Sequence, residues 1–159
     1  MAESRTVAVV GASGIGKHHA NWWNQEGARV CGFVGTSTES VMRTLDTLVI
    51  LFTFEGRGYT DLGELIEKEC PDIVDICSPP RFHYEHAMTA IEAGCDVLCE
   101  KPFIYEDEVP DDELLDQART VVAEAQAAGV LFGLCSQYHV SATACRIFLQ
   151  DHGGEEEIQ

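Results

Sequence analysis

The chain has 159 residues, 45% of them hydrophobic, which suits a single globular domain with a real core. Its 27 acids against 10 bases give a net charge of -17, a sign that opposes binding to nucleic acid or to an anionic membrane surface. No apolar stretch approaches the ~20 residues that cross a bilayer, and the start Met1-Ala2-Glu3-Ser4-Arg5 lacks the layout of a secretory signal, so a cytoplasmic protein is expected.

Strand and helix signals alternate from end to end. This is the pattern of an α/β fold, a doubly wound parallel sheet of about six strands with helices on both faces. The first strand is expected over 6–10. A helix opens at the glycines 14 and 16, carries Trp22 and Trp23 and stops at Gly27; a second strand spans 29–34. Ser37 or Thr38 caps the next helix, in which Val41, Leu45, Leu48 and Phe52 recur at helical spacing, although the run 48–52 also reads as a strand. A short third strand is expected near Phe54, followed by a turn at Gly56-Arg57-Gly58, and Asp61 caps a helix over 62–69.

The apolar run 72–77 forms the fourth strand, closed by Ser78-Pro79-Pro80. A helix over 82–92 ends at Gly94, and the fifth strand covers 96–99. A long acidic helix over 110–128 ends at Gly129, and the sixth strand covers 130–135. A last helix over 141–150 breaks at Gly153-Gly154. Residues 1–150 are thus expected to form one domain and 151–159 an acidic tail.

The seven cysteines, at positions 31, 70, 77, 95, 99, 135 and 145, form no C-x-x-C pair and sit in apolar runs. Neither a disulfide framework nor a metal site is signalled, and reduced, buried thiols are expected.

The most informative segment is the turn from the first strand into the first helix, Gly11-Ala12-Ser13-Gly14-Ile15-Gly16. A helix N-terminus offers unpaired N–H groups and the positive end of its dipole, and glycines let a pyrophosphate reach that backbone. The dinucleotide fingerprint G-x-G-x-x-G appears with Ser13 at its middle glycine and with Gly14 added. Gly11, Ser13, Gly14, Ile15 and Gly16 are therefore candidate cofactor contacts. A tight packing turn is the bland alternative. Gly11 to Lys17 also resembles a P-loop, but His18 stands where a hydroxyl must hold magnesium.

After the second strand, folds that prefer NAD place an acid to grip the ribose 2'-hydroxyl, whereas this chain has Gly35-Thr36-Ser37-Thr38. Nothing there repels a 2'-phosphate. Thr36 and Ser37 are candidate contacts, and the cofactor expectation is NADP or NAD with a tilt to NADP, while helix capping explains Ser37 equally well.

Three ordered motifs together resemble the glucose-fructose oxidoreductase, inositol dehydrogenase and MocA type of oxidoreductases. They are Val9 through His19 at the start, Pro71-Asp72-Ile73-Val74-Asp75-Ile76-Cys77-Ser78-Pro79-Pro80-Arg81-Phe82-His83 in the middle, and Ala93-Gly94-Cys95-Asp96-Val97-Leu98-Cys99-Glu100-Lys101-Pro102 after it. The resemblance implies an N-terminal Rossmann domain whose substrate domain would follow beyond this chain. It implies Lys101 as the catalytic residue beside nicotinamide and substrate hydroxyl, with Glu100 on the cofactor side and Pro102 fixing the turn. Cys77, Ser78, Pro79 and His83 match the segment that passes under the cofactor, with Pro80 where asparagine is common. Gln137 and Tyr138 match a polar site near the nicotinamide. One of His18 and His19 matches a histidine frequent after the glycine loop, packing being the simpler role, and His86 matches nothing.

A lysine at the carboxyl end of a central strand also faces the crevice where open α/β sheets bind ligands, although a surface lysine paired with Glu100 is the plainer reading. The function expected is NAD(P)-linked hydride transfer at a secondary alcohol of a sugar, inositol or related polyol, with a protein partner or homo-oligomer as a further expectation. The alternative is a dinucleotide-binding module or a fragment of a longer dehydrogenase that binds cofactor without turnover.

Overall fold

A computed structural model describes residues 4–136. The expected last helix, the tail, Gln137, Tyr138 and Cys145 lie outside the described residues.

Strands β1 (Thr6–Val10), β2 (Arg29–Val34), β3 (Arg57–Tyr59), β4 (Ile73–Ile76), β5 (Asp96–Glu100) and β6 (Phe132–Cys135) form one sheet in the order β3-β2-β1-β4-β5-β6. Every pairing is parallel. Parallel neighbours need crossovers, which are supplied by α1 (Gly16–Gln25), α2 (Thr38–Phe52), α3 (Leu62–Glu69), α4 (His83–Glu92) and α5 (Asp111–Ala128). Alternate side chains of a strand face opposite ways. Val7 and Val9 of β1 accordingly pack in a core with Ala20 and Leu48 from α1 and α2. Ala8 and Val10 pack on the other face with Leu65, Ala90 and Val121 from α3, α4 and α5. The sheet is therefore wound on both faces, and the strand order reverses between β1 and β4, opening a crevice at their carboxyl ends.

The run 48–52 is helical to its end, continuing the buried face set by Thr44 and Leu48, and α2 closes at Thr53 in the left-handed region (φ 57°). Ser37 is the residue that caps it, its hydroxyl accepting from Ser40 N at 3.2 Å. Ser37→Ala should therefore cost about 1 kcal/mol of stability, read as a lower urea midpoint.

The third strand needs correction. It lies at 57–59, not near Phe54, so the expected Gly56-Arg57-Gly58 turn is largely strand. Gly58 is required by packing: a Cβ there would stand 2.3 Å from Val41 Cγ1 and 2.8 Å from Phe33 Cζ. Phe54 is instead a core residue packed against Phe33, the rings tilted at 58° with 5.7 Å between centroids.

The amino edges of the strands are tied by carboxylates. Asp72 accepts from Thr6 N at 2.6 Å and Thr6 Oγ1 at 2.8 Å; Asp96 accepts from Leu131 N at 2.8 Å and pairs with Arg5 at 2.6 Å. The backbone N–H of Thr6 holds the Asp72 carboxyl below its usual range, as Leu131 N does for Asp96. A depressed folded pKa stabilises above the unfolded value of ~3.9 and is lost as pH falls through the folded value. Stability should thus decline below about pH 4, and Asp72→Asn should flatten that decline in urea titrations at stepped pH.

Candidate functional site

A cleft of about 690 Å³ opens at the carboxyl ends of β1, β2 and β4. Its floor is the turn after β1. Gly11 has φ +86°, and a Cβ there would stand 2.8 Å from the Cys77 carbonyl oxygen; a Cβ on Gly16 would stand 2.6 Å from Gly11 O. Two glycines thus let the turn nest against β4 and start α1, whose first turn carries no acid to oppose an anion. A Cβ on Gly14 would meet nothing within 4 Å, so the turn is open at that position. Gly11, Ser13 and Gly14 line the cleft; Gly16 is buried behind them, and Ile15 projects outward, 46% exposed. An extended anion laid on this turn meets glycine backbone, which is the cradle a pyrophosphate requires.

Beyond β2 the wall is Gly35 and Thr36, joined by the hydroxyl-bearing Ser40, Thr44 and Thr60. Among the described residues, no carboxylate lines the cleft. Ser37 faces its own helix as the cap and does not line it.

The opposite wall is the segment after β4, with Cys77, Ser78 and Pro79, then Phe82 and His86. Ser78 Oγ lies 3.0 Å from His86 Nδ1, and burial pushes the His86 pKa down, favouring a neutral ring. His86 is a cleft residue that the motifs missed; the only signal was its place about one turn beyond His83 on α4. His83, expected as a cofactor contact, is instead fully buried. Its Nδ1 lies 3.0 Å from the carbonyl oxygens of Pro102 and Phe103, and its Nε2 lies 2.8 Å from that of Ser78. With backbone acceptors at both nitrogens it ties the β4 turn to the β5 turn and does not reach the cleft.

Glu100 ends β5, and Lys101 joins Pro102 through a cis peptide bond. Lys101 N donates to Glu100 Oε2 at 3.0 Å. Neither residue lines the cleft among the described residues, and the Lys101 side chain is exposed. The enclosure that a proton-transferring lysine exploits is not built by residues 4–136.

Behind the cleft lies a buried polar cluster. Asp75, in the middle of β4 and wholly buried, accepts from Trp23 Nε1 at 2.6 Å and pairs with His19 Nδ1 at 2.9 Å; Cys77 Sγ lies 3.5 Å away. The other ring nitrogen of His19 pairs with Glu100 Oε1 at 3.2 Å. His19 therefore does more than pack against the sheet. The visible signal was a lone acid, Asp75, inside the otherwise apolar run Ile73-Val74-Asp75-Ile76. The groups His19, Asp75, Cys77 and His19, Glu100, Cys135 also bring metal-ligand types within 4.8 Å. Among the described residues, however, no buried side-chain nitrogen or oxygen lacks a hydrogen-bond partner, so the cluster is satisfied as an ion-pair network.

The six described cysteines are free. Burial pushes Cys31 up to about 11 and Cys99 up to about 12, and burial with the Asp75 charge raises Cys77 further, so these thiols are poor nucleophiles.

A model of the oxidoreductase family with an NAD-binding Rossmann fold matches residues 5–135. D-glucoside 3-dehydrogenase of Escherichia coli is 69% identical over 32 residues, covering 20% of this chain and 9% of that protein. 1,5-Anhydro-D-fructose reductase of Ensifer adhaerens is 31% identical over 103 residues, covering 65% of this chain and 28% of that protein. Among solved structures, myo-inositol 2-dehydrogenase from Lactobacillus plantarum superposes with a TM-score of 0.75 at 22% identity over 98% of this chain and 43% of that one, a likeness of fold. The chain thus spans less than half the length of these relatives.

Proposed function

The chain belongs to the oxidoreductase family with an NAD-binding Rossmann fold, and from that premise we propose that it serves NAD(P)-linked oxidation or reduction at a secondary alcohol of a sugar, inositol or related polyol. The observation that carries the cofactor half is the cleft at the strand-order reversal. Its floor is bare glycine backbone where a methyl group would collide with Cys77. Gly11, Ser13 and Gly14 would hold the pyrophosphate. Thr36 would meet the adenosine ribose, and the lack of a lining carboxylate among the described residues tilts the choice to NADP. Ser78, Pro79 and His86 would bound the opposite side.

When bound, the dinucleotide supplies a hydride acceptor or donor. The chain's own contribution is to orient and to move a proton. As the neutral amine, Lys101 Nζ would take up the alcohol proton on oxidation, becoming the ammonium, and would return it on reduction, while Glu100 fixes the Lys101 backbone through the 3.0 Å hydrogen bond to its N–H. The sugar or polyol class rests on the family and on relatives that are themselves sugar and inositol enzymes by name.

The test is reduced-nicotinamide absorbance across a panel of aldoses, glucosides and inositols. Turnover of at least one supports the proposal. Silence across the panel with dinucleotide demonstrably bound favours the second reading, a cofactor-binding module without turnover, to which the exposed Lys101 points.

A further inference from the structure

We infer that His19, held by Asp75 on one ring nitrogen and by Glu100 on the other, is a positioning residue that fixes the main chain of Lys101. The inference deepens the proposed function and rests on it for the role of Lys101.

A purely structural account of His19 would stop at Asp75, whose buried carboxylate needs donors and receives them from His19 and Trp23. The contacts continue. His19 Nε2 reaches Glu100 Oε1 at 3.2 Å, and the second oxygen of the same carboxylate accepts from Lys101 N at 3.0 Å. An unbroken chain of carboxylate, imidazole, carboxylate and amide therefore runs from the middle of β4 to the turn that bears the lysine. Each link orients the next, as a carboxylate orients a histidine in catalytic triads.

Two carboxylates on opposite sides of one ring need both of its N–H groups, and a neutral imidazole carries one. Burial opposes a charge here, but the Asp75 hydrogen bond and the Asp75 and Glu100 charges outweigh it and raise the His19 pKa. The groups facing the ring are Asp75 from β4, Cys77 just after it, Glu100 from β5 and Cys135 from β6. Burial holds both thiols up, Cys135 to about 11, so they are uncharged near pH 7. A raised folded pKa stabilises fully below ~6.5 and is lost as pH rises through the folded value. The grip on Glu100, and with it the order at Lys101, weakens over that rise.

The test is nitrogen NMR of the full chain across pH. At pH 6, below the ordinary imidazole value, both ring nitrogens of His19 should carry protons, and the Lys101 amide resonance should move with the same midpoint as the ring. A ring with one bare nitrogen at pH 6, or a Lys101 amide indifferent to the ring's titration, overturns the inference. Because this reads the unaltered protein, it stands even where a variant fails to fold. In folded His19→Gln the Lys101 amide should exchange about tenfold faster, the loss expected for one charge-assisted bond. Unchanged exchange counts against the inference. Where turnover is measurable, His19→Gln should lower kcat without raising KM and should add nothing to Lys101→Ala. Turnover untouched by Lys101→Ala would instead sink the proposed role of the lysine, leaving the NMR coupling to decide the role of His19.

Discussion

Lys101→Ala is expected to lower turnover by about 10²- to 10⁴-fold, the usual contribution of a positioned proton-transfer group, while dinucleotide affinity stays unchanged. The split follows from placement. Lys101 follows β5 and lines no part of the cleft, whereas the candidate pyrophosphate contacts come from the turn after β1. Steady-state kinetics beside direct binding separates the two. Equal losses in both would place the lysine in cofactor binding, and unchanged turnover would remove it from the chemistry.

Gly11→Ala is the second large expectation. The residue sits at φ +86°, where an alanine costs about 1–2 kcal/mol, and its methyl would press on the Cys77 carbonyl and on Ser78 N at 2.9 Å. Overpacking against backbone adds about 1–3 kcal/mol. The turn must move off β4, and losing one charge-assisted backbone bond to the pyrophosphate, about 1.5–3 kcal/mol, weakens binding by roughly ten- to a hundredfold. Because the variant is also destabilised, Gly14→Ala is its control. Its methyl points into open space, so stability should hold while cofactor affinity falls. Full affinity in a folded Gly14→Ala protein would mean that the ligand does not lie along this face of the turn.

The strands of the sheet's centre were legible because Thr6–Val10, Ile73–Ile76 and Asp96–Glu100 are short apolar runs bounded by turn residues. The edge strand Arg57–Tyr59 was not, since three residues with a glycine at their centre read as a turn. That glycine answers to Val41 and Phe33, which are distant in sequence. The same division runs through the site. The glycine loop is a local motif and appears where its pattern puts it. The burial of His83 was not legible because its partners, the carbonyls of Ser78, Pro102 and Phe103, come together only when the β4 and β5 turns adjoin. The chain from Asp75 through His19 to Glu100 joins β4, α1 and β5, and a one-dimensional reading shows of it only an acid in an apolar strand.

The central claim, that the cleft over Gly11, Ser13 and Gly14 holds a nicotinamide dinucleotide, is tested most directly by calorimetric titration of the purified chain with NADPH and, separately, NADH. Saturable one-to-one binding, tighter for NADPH and weakened in Gly14→Ala, is the predicted result. No heat of binding from either dinucleotide in a sample whose fold is verified would contradict it.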